Sequence, residues 1–136
     1  MVKVIMGLKG TGKTKKMVEL INAAASEENG NVVAIEHSRS LTFDIHYKIR
    51  LVDAVTYQIN SYESLRGFIC GLYAGNYDIT HIFIEGLRKI LPDENQESTT
   101  RFLDWMEQFS QENGIKFTVS ISVDPSLAPE GIKKYL

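Results

Sequence analysis

The chain has one cysteine, Cys70, in 136 residues, so no internal disulfide can form. A lone thiol in an apolar helical pattern suits a reducing compartment and is expected to lie in the core. Excess positive charge is also missing: 15 Lys and Arg stand against 17 Asp and Glu, a net charge of −2. Such a balance gives no sign of a nucleic-acid partner. Long apolar runs are absent, and the apolar start Met1–Met6 runs straight into Gly7, too short for a signal-peptide core or a membrane span. The expectation is a cytoplasmic protein without membrane attachment. His37, His46 and His81 lack metal-ligand spacing, and no cysteine cluster accompanies them. Repeats, low-complexity tracts and linkers are lacking too, which leaves one domain over 1–136.

What is present is an ordinary globular composition, 43% hydrophobic and 24% charged, enough for a buried core. Apolar strands alternate with amphipathic helices. Strands are expected at Val2–Met6, Asn31–Glu36, Ile49–Tyr57, His81–Glu85 and Phe117–Ser122. The first helix opens at Lys13, with Met17, Leu20, Ile21 and Ala24 on one face, and is expected to stop with Gly30 in the left-handed conformation. Ser61 is a plausible N-cap for a helix bearing Leu65, Phe68, Ile69, Leu72 and Tyr73 and ending at Gly75-Asn76. Phe102, Leu103, Met106 and Phe109 mark a further helix, stopped at Asn113-Gly114, after a polar loop over 92–100 that reads as a mobile point. Such alternation predicts an α/β fold, a three-layer α/β/α sandwich around a mainly parallel five-stranded sheet.

Between the first strand and first helix runs Gly7-Leu8-Lys9-Gly10-Thr11-Gly12-Lys13-Thr14-Lys15, which meets the pattern G-x-x-x-x-G-K-[ST]. At average residue usage a chain of this length meets it by accident on the order of a few times in a thousand. Glycines let the backbone turn with positive φ and bring N–H groups against phosphate oxygens. The helix that follows aims its unpaired N–H groups and positive dipole end at the same anion. Lys13 is placed to reach the β- and γ-phosphates and the Thr14 hydroxyl to ligate Mg²⁺. Lys15 and Lys16 are otherwise a solvated helix face.

A metal-binding carboxylate is expected at the end of an apolar strand, where Glu85 stands, followed by Gly86 rather than a second acid. Glu36 closes the second strand; it could orient or deprotonate a water, or simply leave the sheet as a surface charge. The segment 38–50 could contact a base or an acceptor, or be an ordinary surface connection.

This order of loop, "VVAIEHSRSL", helix and "THIFIEGL" resembles the ATP-binding core of the RecA-like P-loop NTPases, in a small, truncated bacterial form. The resemblance spans roughly residues 2–122. It implies Glu36 as the catalytic base and Glu85 as the metal carboxylate, and a strand order 1-5-4-2-3 that puts the loop-bearing strand at an edge. That edge invites a homodimer or a protein partner supplying an arginine in trans. ATP with Mg²⁺, hydrolysed slowly or on stimulation by a partner, is the reading this favours. A small kinase acting on a nucleoside or metabolite and a non-hydrolysing nucleotide-sensing or scaffold module are the alternatives.

Overall fold

A computed structural model describes all residues 1–136. Five strands, β1 (Val2–Met6), β2 (Asn31–Glu36), β3 (Arg50–Asp53), β4 (Ile79–Ile84) and β5 (Lys116–Ile121), form one sheet in the order β1-β5-β4-β2-β3. Every pairing is parallel. This is the order the resemblance implied.

Side chains alternate across the sheet and divide the helices between its faces. Val33, Ile35, Ile82 and Ile84 point toward one face. There they meet Leu65 and Ile69 of α2 (Tyr62–Gly75), Leu87 and Ile90 of α3 (Leu87–Ile90), and Phe102, Leu103 and Met106 of α4 (Gln96–Asn113). Val32, Ala34 and Phe83 point the other way, onto Met17, Ile21 and Ala24 of α1 (Lys13–Glu27). The chain closes with a 3-10 turn, Pro125–Leu127, and α5 (Glu130–Lys133). No helix is long and apolar enough to cross a membrane.

Local signals hold at most boundaries. The Ser61 hydroxyl accepts from Ser64 N–H while the Ser64 hydroxyl accepts from Ser61 N–H, a reciprocal cap. Gly114 ends α4 at φ 69°.

Several expectations are corrected. Gly30 is not in the left-handed region, and α1 ends at an extended Glu28. Gly30 is needed instead for close approach: a Cβ there would stand 2.2 Å from the Asp78 carbonyl oxygen. The third strand stops at Asp53 because 54–58 form a turn, closed by Ile59 N–H on the Ala54 carbonyl at 2.9 Å. Cys70 is exposed, one residue round the helix from buried Ile69. The polar loop is shorter than 92–100, since Asn95 caps a helix that begins at Gln96. It is also tied down, because Arg88 donates to the Asp93 carbonyl at 2.6 Å and to Thr99 Oγ1 at 2.6 Å.

The open edge expected at β1 is covered by the chain itself. Val4 N–H donates to the Tyr135 carbonyl and Val2 N–H to Glu107 Oε2.

Candidate nucleotide-binding site

Parallel strands deliver their carboxyl ends to one rim of the sheet, and the loop between β1 and α1 lies on that rim. Gly10 (φ 87°) and Gly12 (φ 84°) take the left-handed conformation that a side chain resists. At Gly7 a Cβ would fall 2.5 Å from Thr11 Oγ1, so a side chain there would displace the Thr11 hydroxyl from the Leu8 carbonyl. The Leu8 carbonyl is the turn's collecting point: it accepts from Thr11 N (3.2 Å), Thr11 Oγ1 (2.6 Å) and Lys13 Nζ (2.9 Å). Helix α1 starts at Lys13 with no side-chain cap, which leaves its first N–H groups for an anion.

Across β5 from the loop, Glu85 directly follows β4 and is 4% exposed. The Thr14 hydroxyl donates to its Oε1 at 3.1 Å. Gly86 follows at φ 74°, and its N–H donates to Ser120 Oγ at 2.8 Å, fastening the end of β4 to β5. These walls enclose a cavity of about 310 Å³ with no hydrophobic side chain in its lining. Lys9, Gly10, Gly12, Lys13 and Thr14 line it on one side; Glu85, Gly86, Lys89, Ser120 and Ser122 line it on the other. Burial lowers the Lys13 pKa below the ordinary lysine value; Glu85 opposes that shift and the like charge of Lys89 adds to it. A second cavity of about 440 Å³ adjoins the outer side of the same loop, where Ile5, Met6, Leu8, Lys16, Asp124 and Pro125 meet Gly7 and Thr11.

Lys9, Gly10, Gly12, Lys13, Thr14 and Glu85 are therefore brought together, and Gly7, Leu8 and Thr11 border the neighbouring cavity. Lys15 lines neither; its side chain is exposed on α1. Sequence reading missed Lys89. Lys89 sits on a single-turn helix too short to show a period, although its place four residues after Glu85 was a usable signal.

Glu36 lies one strand beyond Glu85 and is 0% exposed. Its Oε1 accepts from the Ser40 hydroxyl (3.1 Å) and the Leu41 N–H (3.0 Å), and its buried Oε2 has no partner. The loop that covers it carries two successive left-handed non-glycine residues, Ser38 (φ 71°) and Arg39 (φ 59°). Asp53 holds that conformation: it accepts from Ser38 N–H at 3.0 Å and pairs with Arg39 Nε at 3.4 Å. Non-glycine residues in this region cost on the order of 1–3 kcal/mol each. Glu36 lines a different cavity, shared with Arg39, Arg50 and Asp53, and not the cradle.

No family model matches the chain, and no curated protein matches it in sequence. Among solved structures 81 chains match it, so the architecture is a recurrent one. One is a KaiC-like protein from the hyperthermophilic archaeon Pyrococcus horikoshii, 19% identical, with a TM-score of 0.69 over 98% of this chain. The chain spans 66% of that protein's length. The fold is that of this KaiC-like neighbour, an α/β architecture of RecA type built on an all-parallel sheet.

Proposed function

We propose that the chain binds a nucleoside triphosphate, ATP, with Mg²⁺ at the loop between β1 and α1. The observation that carries this is the join between loop and sheet: Lys13 and Thr14 face a wholly polar cavity, and Thr14 is bonded to buried Glu85. The triphosphate would lie over the loop amides with Lys13 leaving the Leu8 carbonyl for the β- and γ-phosphates. The adjoining cavity at Ile5, Met6 and Pro125 offers the apolar surface a nucleobase needs. Thr14 and Glu85 fit Mg²⁺ as direct and water-mediated ligands, in keeping with an ion that keeps most of its waters and takes few protein groups. Bound there, Mg²⁺ would neutralise charge on the β- and γ-phosphates.

Hydrolysis is the activity proposed for this site, slow or dependent on a partner, with Glu36 orienting and deprotonating water once the cover of Ser40 and Leu41 has opened. A second reading, a nucleotide-sensing module that does not hydrolyse, is favoured by one observation: Glu36 is sealed beneath Ser40 and Leu41. A kinase finds less support, because the segment after α3 that could act as a lid is fixed by Arg88.

Thermal unfolding with and without Mg·ATP tests the binding. Ligand at a hundred times its Kd adds roughly 2.7 kcal/mol of stability. The wild type should show that shift and Lys13→Ala should lose it. A wild type unmoved by millimolar Mg·ATP would overturn the reading.

A further inference from the structure

We propose that Lys89 is a second phosphate-binding ammonium group of this site, reserved for the terminal phosphate of the bound chain. The inference rests on the nucleotide reading and names a residue outside the loop motif.

Three lysines, Lys9, Lys13 and Lys89, line one cavity whose only carboxylate is Glu85. Neither Lys9 nor Lys89 takes part in any ion pair, and Lys13 is satisfied only by a carbonyl oxygen. Three like charges around a concave polar space are offset by the single carboxylate of Glu85, whereas a polyanion between them would relieve their repulsion.

The backbone also sets exposed Lys89 at the rim of this cavity. Gly86 turns the chain at φ 74° directly after Glu85, and its N–H is fixed by Ser120. The aliphatic stem of Lys89 then folds back over this glycine: a Cβ at position 86 would stand 3.2 Å from Lys89 Cδ. Its ammonium is thereby carried toward the cavity that Gly86 lines rather than out along α3.

Position assigns the phosphate. The cavity where Ile5, Met6 and Pro125 offer apolar surface to a base lies on the outer side of the loop. A polyphosphate that starts there must cross the loop amides toward β5 and β4, so its last phosphate arrives beside Thr14, Glu85 and Lys89. Lys13 meets the middle of the chain and Lys89 its end. A cation held in cis fills the place for which an arginine from a partner was expected.

Calorimetric titration of the wild type, Lys89→Ala, Lys89→Arg and Lys13→Ala with the Mg²⁺ complexes of ADP, an imido analogue of ATP and inorganic tripolyphosphate tests this. One lost charge-assisted contact should weaken the ATP analogue and tripolyphosphate about tenfold or more in Lys89→Ala, with ADP changed by less than about twofold. Lys89→Arg should restore most of the loss, and Lys13→Ala should weaken all three probes. Equal effects of Lys89→Ala on ADP and the ATP analogue, or none on either, would overturn the assignment. Tripolyphosphate binding that needs Lys89, in a protein that takes no nucleotide, would uphold the phosphate site and overturn the nucleotide reading. A wild type that binds none of the three would overturn both.

Discussion

The Thr14 hydroxyl donates to Glu85 Oε1 over 3.1 Å, joining the first turn of α1 to the end of β4 across the intervening strand β5. A hydroxyl and a carboxylate from positions 71 residues apart in the chain thus share one point at the rim of the sheet. Thr14→Val keeps the shape and removes the donor. Nucleotide titrated with and without Mg²⁺ should show the dependence on the metal largely lost, while binding in EDTA stays near that of the wild type. The carboxylate left without its donor should also lower stability by about 1 kcal/mol.

Glu36→Gln retains a side-chain oxygen to accept from Ser40 and Leu41, so the fold and nucleotide affinity should persist. Any phosphate release should fall about a hundredfold, within the range of general-base effects. Ser40→Ala loosens the cover and should raise basal release. Turnover indifferent to Glu36→Gln would remove that residue from the chemistry.

His81 makes stability depend on pH. Its ring stacks on Phe83 at 4.0 Å and its Nε2 pairs with Thr118 Oγ1 at 2.9 Å. Nδ1 lies 3.7 Å from Glu28 Oε2, too far for a hydrogen bond. Burial dominates over the attraction of Glu28 and pushes its pKa down to about 4. The unfolded chain therefore takes up a proton near pH 6.5 that the folded chain refuses, and stability falls as pH drops from there toward 4. The loss approaches about 3 kcal/mol at the lower end. His81→Gln should flatten urea-derived stability over that window; an unchanged slope would assign the dependence to other groups.

Gly30→Ala should be among the most damaging single changes outside the site. The new methyl would meet the Asp78 carbonyl at 2.2 Å and Thr80 Cγ2 at 2.4 Å. That carbonyl is already fixed by Asn31 N–H at 2.8 Å, so it cannot step aside. Overpacking of this kind costs about 1–3 kcal/mol. Calorimetry should show Tm lowered by roughly 5–10 °C.

The sheet and the loop were legible because their signals are local and strong. Runs such as Val32–Ile35 and Ile82–Ile84 are apolar on both faces, as strands buried under helices must be, and Gly10 and Gly12 take the positive φ expected of glycines in a strand-to-helix turn. What escaped depends on phase and distance. Cys70 shares the composition of its helix but not the angular position of Leu65 and Ile69. Val55–Tyr57 has strand-forming residues, yet the turn that Asp53 organises through Val55 N–H and Thr56 Oγ1 takes precedence. Sealing of Glu36 by its own following residues leaves no trace in residue pattern, because any polar loop could supply a hydroxyl and an N–H.

The last two residues of the chain give the Tyr135 carbonyl a further meaning. By taking the Val4 N–H, that turn acts as a stopper on the outermost ladder of the sheet. Removing those residues would free the Val4 N–H and open that margin of the sheet to pairing with another strand.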